Sequence, residues 1–185
     1  TGLTSIIIPD SVTTFGQYAF DECSALKSIT LPHNITRLDE GVFRNCSSLT
    51  EFNISERIES IDSYAFDGCS NLETIILPET LKAIGEEAFY YCEKLADVEI
   101  PTSVTKIGAY AYRSCNSITN LTIPENTIEI ANDAFYKCEN LVSVIIPDSV
   151  TIIDEWASQK VKPIFFVPPG PQWQKTTAIF FYANR

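Results

Sequence analysis

The stretch from Leu95 to Cys115, LADVEIPTSVTKIGAYAYRSC, decides the fold, because nearly every position in it recurs at a step of 23. Its last residue belongs to a row of six: Cys23, Cys46, Cys69, Cys92, Cys115 and Cys138 stand 23 positions apart (46 − 23 = 23, and so on to 138 − 115 = 23). Three residues before each cysteine is an aromatic, Phe20, Phe43, Phe66, Phe89, Tyr112 and Phe135, preceded by a small residue such as Ala65, Ala88 or Ala111. Three residues after it is an aliphatic, as in Leu26, Leu49, Leu72, Leu95, Ile118 and Leu141. Self-similarity at a period of this length is the mark of stacked repeats, each too small to bury its apolar side alone.

Leu26-x-x-Ile29-x-Leu31 and its copies end in the period-2 alternation of a short strand with one buried face. A proline follows in most copies (Pro9, Pro32, Pro78, Pro101, Pro124, Pro147, with Ser55 the exception), and proline cannot donate to a ladder, so the strand should end there. A further aliphatic column runs Phe15, Leu38, Ile61, Ile84, Ile107, Ile130, Ile153. Next to it is a Gly or Asp column (Gly16, Asp39, Asp62, Gly85, Gly108, Asp154), residues suited to a helix N-cap. Ala19, Cys23 and Leu26 then fall at i, i+4 and i+7, one face of a short helix. The expected architecture is an α/β repeat solenoid: a parallel, concave β-sheet with strands about 4.8 Å apart, and one- to two-turn helical or 3₁₀ segments on the convex side.

The pattern L-x-x-I-x-L-P-x-x-V-T-x-I-G-x-x-A-F-x-x-C resembles the BspA-like leucine-rich repeats, also called the Treponema pallidum type, over about residues 3 to 167. Local departures are Ser55 for proline, Thr127-Ile128 where one aliphatic is expected, and Ala131 for glycine. The resemblance implies a right-handed leucine-rich-repeat coil. It also implies a secreted or cell-surface protein of a bacterium or protozoan parasite, from a family associated with adhesion to host matrix, to other cells or to surfaces.

The array decays near its end. Position 161 (138 + 23) holds Val161 instead of cysteine; Ala157, Ile164 and Val167 keep their columns, and Pro169 breaks the next. Residues 1–167 therefore read as the solenoid, about seven repeats with the last degenerate. Residues 168–185, with Pro168-Pro169-Gly170-Pro171, Trp173 and Phe180-Phe181-Tyr182, read as a cap over the open edge of the last coil, or alternatively as an aromatic adhesive tail.

The formal net charge of −11 opposes nucleic-acid binding, which needs clustered Lys and Arg, and opposes a polybasic membrane patch. No run approaches the roughly 18 apolar residues of a membrane span. The chain contains no methionine and no secretory leader, and it reads as a mature or excised fragment. Equivalent cysteines in neighbouring coils point the same way, so neither the converging Cβ vectors of a disulfide nor a tetrahedral zinc shell is expected, and the row reads as reduced, buried thiols. His33, the sole histidine, stands after Pro32 as an exposed turn residue without a triad or metal partner set. No phosphate-binding glycine loop appears. The acids at the strand exits (Asp10, Glu56, Glu79, Glu125, Asp148) are interrupted by His33 and Thr102, so a solvated edge is favoured over a calcium site. Four sequons, at Asn34, Asn45, Asn53 and Asn120, follow from the repeat's own composition.

No catalytic constellation, cofactor or metal site emerges, and the expectation is a binding module, not an enzyme. The outward residues of the strands form one column of Ser5, Ser28, Glu51, Thr74, Asp97, Asn120 and Ser143, and a second of Ile7, Thr30, Asn53, Ile76, Glu99, Thr122 and Ile145. Glu51, Thr74, Ile76, Asp97, Glu99, Asn120 and Thr122 are the candidate contacts for a protein or glycan ligand, with host extracellular matrix as one source. The alternative is a rigid spacer that displays other domains of a longer surface protein.

Overall fold

In a computed structural model of the chain, residues 2–153 are described. Twelve short strands lie among them. In chain order they are β1 (Ser5–Ile7), β2 (Ser28–Thr30), β3 (Arg37–Leu38), β4 (Glu51–Asn53), β5 (Ser60–Ile61), β6 (Thr74–Ile76), β7 (Ala83–Ile84), β8 (Lys106–Ile107), β9 (Asn120–Thr122), β10 (Glu129–Ile130), β11 (Ser143–Ile145) and β12 (Ile152–Ile153). Every pairing is parallel and joins residues 23 apart, such as Ser5 with Ser28, Glu51 with Thr74 and Asn120 with Ser143. The repeat step read in the sequence is therefore the register of a parallel β-solenoid.

The continuous sheet does not lie where the strand pattern placed it. It has six strands in the order β12-β10-β8-β7-β5-β3, built on the column Leu38, Ile61, Ile84, Ile107, Ile130, Ile153, in which the first five side chains are buried and their predecessors face outward or partly so. The three-residue strands, expected to form one sheet, form three separate pairs: β1 with β2, β4 with β6, and β9 with β11. Ladder bonds on that side run from an amide to the carbonyl 23 positions earlier, as in Glu73 N–H to Thr50 O (2.8 Å) and Val142 N–H to Thr119 O (2.7 Å). Where β9 should join the preceding coil, Ser117 N–H instead reaches Glu93 O, 24 positions earlier (117 − 93 = 24), and the ladder stops.

No helix occurs among the described residues, which corrects the expected helical convex segments. The reason is where the amides go. In the first full coil, Tyr18, Phe20 and Glu22 donate across to the carbonyls of Glu40, Val42 and Arg44 (2.8, 2.9 and 2.9 Å). Ala19, Asp21 and Cys23 close i−3 turns on Gly16, Tyr18 and Phe20 (3.2, 3.1 and 3.1 Å). An α-helix requires its amides to bond i−4; here alternate amides bond the neighbouring coil instead. Two residues per coil adopt left-handed φ of 53° to 72°: Tyr18, Gly41, Tyr64, Glu87, Tyr110 and Asp133, then Glu22, Asn45, Gly68, Tyr91, Ser114 and Lys137. For a non-glycine residue this geometry costs roughly 1–2 kcal/mol. The supposed N-cap column has another role as well. Its carbonyls accept the first turn bond (Val42 N–H to Asp39 O, 3.1 Å), and its small members allow close stacking, since a Cβ on Gly108 would come within 2.6 Å of the Gly85 carbonyl carbon.

The core is a set of side-chain ladders along the stack. Phe20, Phe43, Phe66, Phe89, Tyr112 and Phe135 stack ring on ring at 5.2 to 6.0 Å. All six cysteines are free and buried, as the spacing led one to expect. Five of the thiols also donate to the aromatic carbonyl of the preceding coil, from Cys46 to Phe20 (3.2 Å) through Cys138 to Tyr112 (3.0 Å). Burial holds these five thiols protonated, with Cys46 and Cys138 pushed up to about 12 and Cys69, Cys92 and Cys115 also well above the ordinary value. The seventh repeat beyond residue 153 and the cap expected over residues 168–185 lie outside the described residues.

Candidate interaction surface

In β4, β6 and β9 the middle residue (Phe52, Ile75, Leu121) is buried and its two neighbours are exposed, the result of a period-2 strand with one face on the core. Glu51, Thr74, Ile76, Asp97, Glu99, Asn120 and Thr122 are all exposed, Ile76 at 65%. The structure does not unite them in one sheet. Glu51 and Thr74 are direct partners, with Ile76 opposite Asn53. Asn120 and Thr122 belong to the β9–β11 pair, where Ser143 Oγ donates to Asn120 Oδ1 at 2.6 Å. Asp97 and Glu99 lie outside the strands, tied in by a single bridge from Asp97 to Thr74. The side chains of Glu51, Thr74, Asp97, Glu99 and Thr122 make no hydrogen bond or ion pair with the described residues.

The acidic edge at the strand exits bonds to itself. His33 Nδ1 lies 3.0 Å from Asp10 Oδ1, and the His33 amide donates to the same oxygen at 2.8 Å. These bonds, the backbone one foremost, lower the Asp10 pKa. Thr102 Oγ1 donates to Glu79 Oε2 at 3.2 Å. The two residues that interrupt the acidic column thus partner the acids beside them. No group of three or more His, Cys, Asp or Glu side chains is arranged to hold a metal among the described residues.

Sequence reasoning missed a second surface, on the turn segments. Arg113 lies over the rings of Tyr90, Tyr110 and Tyr136 at 5.1, 5.3 and 4.7 Å, and Arg44 lies 5.1 Å over Tyr18. Arg44 also grips Asp21 with two bonds of 2.9 and 2.7 Å. The next carboxylate in that column, Asp67, is raised to about 6, chiefly by burial and then by Glu87 nearby. The signal was present: Asp21, Arg44, Asp67, Tyr90, Arg113 and Tyr136 stand 23 apart. It was hidden because a helix would have spread these side chains differently. Tyrosine and arginine are the residues that dominate interface energetics, and here they are spent largely on one another.

Solved structures agree with this architecture. A leucine-rich-repeat protein of T. pallidum is 27% identical with a TM-score of 0.74, over 80% of this chain and 72% of that one. A leucine-rich cell-surface protein of Faecalibacterium prausnitzii is 26% identical, TM-score 0.56, over 89% of this chain and 61% of its own. The pneumococcal vaccine antigen PcpA, at 19% identity and a TM-score of 0.59, shares the fold over 83% of this chain and 46% of its own. The chain thus spans less than two thirds of the latter two. No curated protein matches the sequence. A sequence profile of the BspA type leucine-rich repeat region (6 copies) matches residues 1–111 and 39–164. With its 23-residue register and stacked coils, the chain belongs to the BspA-type leucine-rich-repeat family.

Proposed function

We propose that this chain is a non-catalytic binding scaffold, secreted or displayed at a cell surface, that engages a protein or glycan ligand through the outward side chains of its three-residue strands. Leucine-rich repeats of this kind generally serve as protein-interaction scaffolds. The observation that carries the reading is the contrast between the two sides of each strand. One side is locked into buried ladders, while Glu51, Thr74, Asp97, Glu99 and Thr122 stand exposed with no partner among the described residues. A rigid backbone that presents free polar groups loses little conformational entropy when a ligand binds. The cell-surface description of the Faecalibacterium relative supports the location. Asn120, already bonded within its own coil pair, and the apolar Ile76 complete the proposed contact set.

The test is binding of the purified protein to immobilised fibronectin, fibrinogen and a glycan panel, beside a variant carrying Asp97→Lys and Glu99→Lys. Saturable binding that the double variant loses is the expected result. Binding equal in both proteins would remove the strand face from the proposal. Binding to none would favour the spacer reading, in which the stacked ladders serve to hold other domains away from a surface.

A further inference from the structure

The three-residue strands part between β2 and β4, and the consequences collect at one place. The bond that recurs on this side, Lys27 N–H to Thr4 O (2.8 Å) and Glu73 N–H to Thr50 O (2.8 Å), is not made between Thr50 and Lys27. A cleft of about 590 Å³ lies there, floored by Ile29, Leu31 and Ile54. Ile29 and Leu31 are only half-buried, whereas their equivalents one and two coils on, Phe52 and Ile75, Ile54 and Leu77, are buried. Its rim holds His33, Ser55, Glu56 and Arg57.

Three features mark this cleft out from the rest of the repeat. Ser55 stands where the other copies have proline, so a backbone N–H and a hydroxyl are available at this rim where proline would offer neither. Arg57 has neither an ion pair nor a ring contact with the described residues, while Arg37 and Arg44 pair with aspartates and Arg113 is enclosed by tyrosines. Thr30 and Asn53, which end the two parted strands, both line the cleft, so strand edges without a ladder partner border it.

We propose that this cleft binds an extended peptide segment of a partner protein, with an aliphatic side chain on the Ile29–Leu31–Ile54 floor and a carboxylate on Arg57. The backbone groups that β2 and β4 leave unbonded across the gap can meet the amides and carbonyls of a peptide lying over it, and the apolar pocket beside them receives its side chain. The volume falls within the roughly 300–1,000 Å³ of ligand sites. Arg57 has no ion pair among the described residues, so within a cleft that also holds Glu56 its guanidinium is the group that can receive a ligand carboxylate. The one ring lining the cleft is the imidazole of His33, whose Nδ1 already lies 3.0 Å from Asp10 Oδ1. This deepens the scaffold reading, on which it rests, by naming a partner chemistry and a place away from Asp97 and Glu99.

The experiment titrates acetylated, amidated octapeptides, leucine alternating with aspartate, into ¹⁵N-labelled protein, with asparagine and lysine versions for comparison. Expected are amide shifts confined to Thr30–His33 and Asn53–Arg57, and affinity for the aspartate peptide at least about tenfold above the lysine one. Arg57→Glu should lose about tenfold, since it reverses the charge at an exposed site. Ser55→Pro should weaken binding, with the melting temperature monitored alongside. Equal affinity for the three peptides, shifts elsewhere, or no shift at millimolar peptide would overturn the cleft. Matrix or glycan binding lost in the Asp97, Glu99 variant would still uphold the scaffold reading if the cleft failed.

Discussion

Replacing Tyr112 by phenylalanine should stabilise this protein. Tyr112 is wholly buried between Phe89 and Phe135, with ring centroids 5.2 and 6.0 Å away, and the other members of its column are all phenylalanine. Its hydroxyl has no hydrogen-bond partner, and burial raises its pKa well above the ordinary value. A buried polar group left unpaired costs about 1–3 kcal/mol. Deleting the oxygen removes that cost and forfeits a few atom contacts at about 0.1–0.2 kcal/mol each. The net expectation is a gain of about 1–2 kcal/mol. At about 2–4 °C per kcal/mol for a chain of this size, the melting temperature should rise by about 2–8 °C. Urea unfolding followed by circular dichroism reads this directly, provided the slope with denaturant is unchanged. The reciprocal change, Phe89→Tyr, adds a second hydroxyl to the stack and should cost a similar amount. A Tyr112→Phe protein less stable by 1 kcal/mol or more would refute the reasoning, because the hydroxyl would then have to be satisfied.

The cysteine row offers two further checks. Cys92→Ser should cost about 1–3 kcal/mol in the same unfolding assay, because a more polar hydroxyl replaces a buried thiol whose bond to the Phe66 carbonyl spans 3.2 Å. Thiol titration at pH 8 should find almost no reactive groups in the native protein and all six after denaturation, and an intact mass showing a disulfide would contradict it. Asp67 supplies a pH dependence. Its carboxyl is raised from 3.8 to about 6 in the fold, so the folded state binds its proton more tightly than the unfolded chain does. Stability should therefore increase as pH falls through about 6 and level off below about 4. The full shift corresponds to about 3 kcal/mol, and the carboxyl's partial exposure reduces this to about 1–2. Asp67→Asn should flatten that part of the profile and be the more stable protein at pH 7; equal slopes in both would exclude Asp67 as the source.

Much of this molecule is legible in one dimension because each coil repeats its neighbour. Cys23 to Cys138, Phe20 to Phe135 and Leu26 to Leu141 are columns in the sequence and ladders in space, since a buried site imposes the same size and polarity on each successive coil. From that alone follow the register of 23, the free thiols and the exposure of Glu51, Thr74, Ile76, Asp97, Glu99, Asn120 and Thr122. What the columns leave open is where the backbone hydrogen bonds go. Ala19, Cys23 and Leu26 have helical spacing, yet Tyr18, Phe20 and Glu22 give their amides to the next coil, and the turn takes left-handed φ in place of a helix. The strand side shows the same thing. Ser28–Thr30 and Glu51–Asn53 share the polar–apolar–polar pattern of a half-buried strand, yet they stand unjoined, with a cleft and an unpaired arginine at the gap. Side-chain burial writes itself into residue type, whereas every residue but proline carries the same amide and carbonyl. The sequence by itself therefore determined which residues stack, and the tertiary structure decided which coils bond, where the sheet opens and what stands exposed there.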